Sequence, residues 1–418
     1  MIKPHFFRVG PKSGEFDATE EIDPQKFRRD IEPWLSALSQ AEHLSLLIGN
    51  GLTRAIAHVA GVKSADMGTP EFESEFNDIL NQHAVKTAES IGRGKANFED
   101  KIRAASQLII GLEILNDKRV KELISSMNKA LKAFVDSILT SEKGILHAIK
   151  KAGDEGQVAK DSLESFLLSF SSRLASRERL HIFTTNYDRL VEYGSDIVGL
   201  RVLDRFVGGL SPIFRSSRIE VDLHYNPPGI RGEPRYLEGV VKLTKLHGSI
   251  DWRFENGNVR RYAIPFGAIN DHPDLPLEPF RKVMIYPNPA KDVETLEYPY
   301  AELFRDFASS ICRPNSVLVT YGYSFGDDHI NRVISDMLSI ASTHLVIISF
   351  DDASGRIPRF CKTVAHEAQI SLLLGAHFGN LPTLTEYYLP KPAIDQITWR
   401  QAELLRRRDY RPESTEGE

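Results

Sequence analysis

Apolar and polar positions divide the chain into two kinds of segment. The run Leu44 to Asn50, LSLLIGN, is apolar without alternation and predicts a buried strand entering a turn at Gly49-Asn50-Gly51. A helix is expected from near Thr53. Residues 24–42 also read as helix, with Pro24 suited to an early position. From about 65 to 178 the period changes to that of helices. Val120, Leu123, Ile124, Met127, Leu131 and Phe134 form one stripe, and Leu163, Phe166, Leu167, Phe170 and Leu174 form another. Both stripes are explained by helices packing on one another.

Short strands return at His181, where LHIFTTNYD runs from an apolar stretch into a polar loop. Gly239 to Leu246, Val283 to Tyr286, Ser316 to Tyr321 and Leu345 to Phe350 read as further strands, and Asn226-Pro227-Pro228-Gly229 as a turn. Helices are expected over 299–311 and, from Ile330, Val333, Ile334, Met337 and Leu338, after Gly326. Strands alternating with helices predict an α/β fold with a mostly parallel sheet, interrupted by a large helical insertion. The expected organisation is a loose arm over 1–23, an α/β domain built from 24–64 and 179–390, the insertion over 65–178, and a C-terminal helix (394–408) with a polar tail over 391–418.

Hydrophobic residues make up 41% and charged residues 26%, so a globular core is expected. The net charge of −5 lacks the basic excess of a dedicated duplex-DNA binder. Cys312 and Cys361 are the only cysteines, with no C-x-x-C pair, so no cysteine zinc module can form. No apolar run reaches the ~18 residues that span a bilayer, and the first residues lack a signal-peptide core. A cytoplasmic protein is expected.

Five loops carry candidate chemistry. Glycines 49 and 51 would let backbone approach a phosphate, with the next helix offering its amides; Arg54 stands where a third glycine is usual, and a plain tight turn explains the pair equally. Asn186 and Asp188 follow a strand, where α/β folds place ligands, though either also suits a helix cap. His247, in Leu246-His247-Gly248-Ser249, could be a general base or a structural histidine. Ser249 lacks the surroundings of a nucleophile elbow. Gly322 and Ser324 could meet phosphate or ribose, with Asp327 or Asp328 capping a helix; Asp351 and Asp352 could hold ribose hydroxyls or close a turn.

In order, strand-GNGLT, FTTNYD, KLHGSIDW, VTYGYSFGDDHIN and LVIISFDD resemble the bacterial sirtuin-like family of antiphage defence. The set spans residues 44–352 and is most similar to the stand-alone subunit that works beside a HerA-type ATPase. The resemblance implies a Rossmann-like sirtuin fold and NAD as a substrate cleaved to nicotinamide and ADP-ribose, without a metal. It implies that Asn186 positions water or the nicotinamide ribose, that Asp188 contacts the carboxamide, and that His247 activates a ribose hydroxyl or the attacking water. Gly49, Asn50, Gly51, Thr53, Gly322, Ser324 and Asp351 would complete the NAD site. GNGLT departs from the family's Gly-Ala-Gly pattern, which leaves the roles of Asn50 and Thr53 open. A homo-oligomer is expected, held partly by the insertion and regulated by a HerA-type ATPase or, second, a short Argonaute-type protein. The alternatives are an NAD-dependent protein deacylase and a non-catalytic NAD or ADP-ribose sensor.

Overall fold

The computed structural model describes residues 4–65, 68, 70–90, 95–151, 153–217, 221–225, 235–280, 282–285, 298–364 and 366–392. The turn at 226–229, Tyr286 and the C-terminal helix and tail from 394 lie outside the described residues.

The chain opens with a hairpin of two strands, β1 (His5–Val9) and β2 (Lys12–Phe16). Helix α1 (Pro24–Ser39) starts where the Asp23 side chain accepts the Gln25 amide at 2.9 Å and Pro24 takes a first position needing no amide. Strand β3 (His43–Ile48) then enters helix α2 (Gly51–Val59). Four helices follow: α3 (Asn77–Ser90), α4 (Phe98–Ile114), α5 (Val120–Lys151) and α6 (Asp154–Ser171). Strand β4 (His181–Thr184) leads to α7 (Leu190–Ile197). Short strands β5 (Arg201–Leu203), β6 (Phe206–Val207), β7 (Ile213–Phe214), β8 (His224–Tyr225) and β9 (Arg235–Tyr236) precede β10 (Val240–Lys245). Next come β11 (Gly248–Glu255), β12 (Asn258–Arg261) and β13 (Val283–Ile285). The last part alternates α8 (Tyr300–Ile311), β14 (Ser316–Tyr321), α9 (Asp328–Leu338), β15 (His344–Ser349), α10 (Arg356–Val364) and β16 (Ile370–Leu374), and closes with helical turns over Leu381–Thr383 and Leu384–Tyr388.

The main sheet has the order β2-β1-β16-β15-β14-β3-β4-β10-β5. Every pairing from β16 to β5 is parallel, and the antiparallel pairings are those of β1 with β16 and with β2. β3 therefore lies between β14 and β4. The chain builds outward to one side of β3 and then returns to the other side at β14. That is the switch point of a doubly wound, Rossmann-like sheet, where loops diverge and leave a crevice at the carboxyl ends. β10, β14 and β16 are buried at every position, as sheets covered on both faces require. A smaller antiparallel sheet, β13-β11-β12-β7-β6, packs beside it. Hydrophobic period does not separate this sheet, because every strand in it except β11 has only two to four residues, too few to show one.

Three expectations change. The stretch expected to be a loose arm supplies two strands: Phe6, Phe7 and Val9 are buried, and β1 pairs along β16. The polar residues flanking this short HFFRV run hide its strand character. Helix α2 begins at Gly51 rather than near Thr53, so the glycine loop is shorter than expected. The helical stretch also divides. α3, α4 and most of α5 share a core containing Phe98, Ile102, Phe134 and Ile138, whereas Leu163, Phe166, Leu167 and Phe170 of α6 pack against the main sheet. α6 is thus a sheet-covering helix, and the insertion proper is α3 to α5.

Candidate functional site

The loop after β3 and the loop after β14 touch. Gly51 N–H donates to Gly322 O at 3.1 Å, and Gly49 N–H donates to Tyr321 O at 3.0 Å. A Cβ on Gly49 would run into the Gly322 carbonyl, and one on Gly51 into Gly322 Cα. Gly322 itself has φ +61°, a left-handed conformation that glycine adopts without strain. These three glycines are therefore required for the loops to meet, whatever they also offer a phosphate.

The loop after β4 is tied to the same place. Thr184 Oγ1 donates to Ile48 O at 3.0 Å, and the Asn186 amide donates back to Thr184 Oγ1 at 3.0 Å. Asn186 Nδ2 donates to Gly49 O at 3.1 Å and to Thr53 Oγ1 at 3.2 Å. The side-chain amide is thereby held in one orientation, and Oδ1 accepts no bond from the described residues. Thr53 Oγ1 donates to Asp188 Oδ2 at 2.7 Å, and Leu190 N–H donates to Asp188 Oδ1 at 3.0 Å. Both Asp188 oxygens thus already serve the chain, one of them as the local turn expected of an aspartate before a helix. Lys245 Nζ donates to Asp188 O and to Glu192 Oε1, the latter at 2.9 Å, fastening this loop to β10.

His247 sits where the chain leaves one sheet for the other. β10 ends at Lys245, Gly248 turns with φ +83°, and β11 begins. A side chain at this corner faces the crevice while its backbone is pinned: Leu246 N–H donates to Thr184 O at 2.8 Å. His247 is 3% exposed. Ser249 is fully buried, and its hydroxyl donates to Tyr187 O at 3.3 Å, a structural bond.

A cavity of about 780 Å³ lies where these loops meet. Its lining includes all ten expected positions: Gly49, Asn50, Gly51, Thr53, Asn186, Asp188, His247, Gly322, Ser324 and Asp351. They are not equally placed. Asn186 and His247 are deeply buried, whereas Asp351 is exposed and its Oδ1 accepts the Ala353 amide at 2.8 Å, closing a turn. Ser324 O accepts from Arg356 Nε at 2.8 Å.

The lining also holds groups that motif reading passes over. Arg54 and Arg356 bring positive charge beside the glycine loops, as an anionic ligand needs. The opposite wall comes from the insertion: Asn97 and Glu99 of the α4 start, and Phe134, Ile138 and Ser141 of α5. Glu99 is 6% exposed; its Oε1 accepts the Tyr187 hydroxyl at 3.1 Å and lies 4.0 Å from His247 Nδ1. Burial first, and the neighbouring Glu99 next, hold the Tyr187 hydroxyl well above its ordinary value, so it stays a donor. Phe134 stands edge-on to Tyr187 at 5.7 Å between ring centres. A buried ion pair, Glu142 of α5 with Arg189, completes the anchorage; Arg189 N–H also donates to Glu142 Oε1 at 2.9 Å.

Residues 180–369 match the SIR2-like domain family. The matched stretch runs from the start of β4 to the turn before β16 and carries Asn186, His247 and Gly322. It leaves out β3 and the Gly49–Thr53 loop, which the sheet sets beside it. SIR2-like domains are in general NAD-dependent enzymes, so the match supports a sirtuin-like relationship and NAD-related activity. No curated protein matches the chain. Among the described residues no three His, Cys, Asp or Glu side chains are grouped to hold a metal ion, and no helix is long and apolar enough to cross a membrane.

Proposed function

We propose that this protein hydrolyses NAD to nicotinamide and ADP-ribose. The observation that carries this reading is the burial of Asn186 and His247 in one cavity, at the point where the two glycine loops meet. The SIR2-like match supplies the substrate class. Arg54 and Arg356 suit the diphosphate. Asn186 Oδ1 and His247 suit the reacting end.

The reaction balances without an added acid. The bond between C1′ of the nicotinamide ribose and the ring nitrogen breaks, and its electron pair neutralises the departing nicotinamide. Water forms the new bond to C1′, and its proton passes to His247 and then to solvent. Asn186 holds the water or the ribose. A positioned base of this kind contributes about 10²–10⁴-fold.

The test is purified protein with NAD, followed by chromatography of nicotinamide and ADP-ribose, with no acylated peptide present. Asn186→Ala and His247→Ala should each cut turnover by about 10²–10⁴-fold while the protein stays folded. Ser249→Ala should cost far less. Intact NAD under every activating condition, or near-normal turnover by folded His247→Ala, would overturn the assignment.

The resemblance to antiphage proteins extends the proposal to NAD depletion in defence, switched on by self-assembly or by a HerA-type ATPase. A constitutive NAD hydrolase would harm its own cell. Helix α4 and the residue after it leave Ile110, Ile114 and Leu115 exposed at 56%, 74% and 75%, an apolar surface on the insertion suited to assembly. Light scattering and co-expression with candidate partners test this extension: a monomer at micromolar concentration, with no partner retained, would refute it.

A further inference from the structure

A histidine that takes a proton through one ring nitrogen must keep its own hydrogen on the other. That choice is made by whatever the second nitrogen faces. In this cavity His247 Nδ1 faces Glu99, whose Oε1 lies at 4.0 Å. The carboxylate is not loose. It sits in the first turn of α4, where the Asn97–Asp100 capping box fixes the helix start, and Tyr187 donates to the same oxygen at 3.1 Å. Among the described residues the ring also has Tyr187 nearby, with ring centres 6.1 Å apart, and His329 of α9, at 5.9 Å. Tyr300 and Asp327 lie close enough to act on the Tyr187 hydroxyl. Tyr187 remains a neutral donor. A charged His329 would oppose a charge on His247, and Glu99 would favour it.

We propose that Glu99, brought in by the helical insertion, is the positioning residue for His247: its carboxylate takes the Nδ1 hydrogen, leaving Nε2 to accept the proton of the attacking water. The role rests on the NAD-hydrolase reading. The 4.0 Å separation exceeds a hydrogen bond, and bonds of this catalytic kind commonly tighten when substrate binds. No covalent chemistry is asked of Glu99. The insertion is thereby a working part of the site, placed across the cavity from the strand-end loops.

The experiment uses full-length protein with isotope-labelled histidine, the His247 signals being those lost in His247→Gln. In the unaltered protein, NMR should show neutral His247 with its hydrogen on Nδ1; a hydrogen on Nε2 overturns the proposal without any Glu99 variant having to fold. In Glu99→Gln the His247 titration should move to lower pH, because a carboxylate stabilises the imidazolium. The value of kcat should fall about 10²-fold or more while KM changes less than about threefold. The acid limb of the kcat profile should follow the titration downward. Glu99→Asp, which keeps a carboxylate, should recover part of kcat. Lost turnover with an unmoved His247 titration would mean a merely structural Glu99 and would overturn the proposal. A Glu99-dependent titration in a protein that never cleaves NAD would leave the pairing intact and remove the hydrolase reading instead.

Discussion

The cavity has two walls of different construction. The sheet-side wall is made of loops that leave neighbouring strands at the switch point, and its parts contact each other backbone to backbone, as Gly51 does with Gly322. The insertion-side wall is made of side chains on the long helices α4 and α5, contacting the sheet side through Tyr187, Arg189 and His247. One wall is fixed by strand register. The other is fixed by a few side-chain anchors and an apolar core of its own. The first should be sensitive to backbone crowding, and the second to loss of a single partner.

The strongest blow to that contrast falls on the anchor. Glu142→Ala leaves the Arg189 guanidinium buried without its carboxylate, and breaking such a pair typically costs about 3–5 kcal/mol. Denaturant unfolding should show that loss, and hydrogen exchange should show α3 to α5 losing protection before the sheet. A loss under about 1 kcal/mol, with exchange unchanged, would mean the insertion is held by its apolar contacts instead.

Acid should discriminate in the other direction, because its targets lie in the sheet. His344 of β15 is pushed down to about 4 by burial, and His181 of β4 is lowered well below the ordinary histidine value by burial and then by Lys242. The unfolded chain takes up the His344 proton near pH 6.5, whereas the folded chain resists until about pH 4. Stability is therefore full above pH 6.5 and lost as pH falls from there toward 4, by up to about 3 kcal/mol for His344 alone. Unfolding curves at pH 7 and 4.5 measure it, and His344→Asn should flatten the difference. Equal stability at both values would show that the ring is not shielded.

The finest comparison uses one glycine from each side. Gly51→Ala drives a methyl group into Gly322 and should destabilise by about 1–3 kcal/mol, with reduced NAD turnover. Gly111 lies in α4 with nothing near its missing side chain, so Gly111→Ala should stabilise by about 0.5–1 kcal/mol. Melting curves of the two variants moving in the same direction would erase the distinction.

These walls also differ in how they show in a sequence. GNG, FTTNYD, KLHGS and GYSFG each sit within a few residues of a strand end, and apolar runs locate strand ends. The parallel sheet and its loops could therefore be read, and all ten chosen positions line one cavity. Their chemical roles do not follow from lining it. Glu99 could not be read. Behind the Asn97 cap it is an ordinary first-turn acid, favourable to any helix dipole, and only the stacking of Phe98 on Phe134, with Phe134 edge-on to Tyr187, carries it to His247. Arg54 stood in plain view, but as the residue that spoiled a glycine pattern. The hairpin at the N-terminus is hidden in the sequence for a simpler reason. Five residues with three buried apolar side chains are too few to outweigh polar neighbours, and their partner strand is more than 350 residues away in sequence.

That hairpin has a practical consequence. β1 covers the side of β16, a strand whose five residues are all buried, and β2 shields β1 in turn with a mostly exposed KSGEF edge. To anyone trimming the protein for crystals or for a fusion, the first sixteen residues look disposable. Cutting them would bare a flat, greasy seam of unpaired amides and carbonyls, the kind of surface along which chains glue themselves to one another. A tag or fusion joint is better placed where it leaves this seam closed.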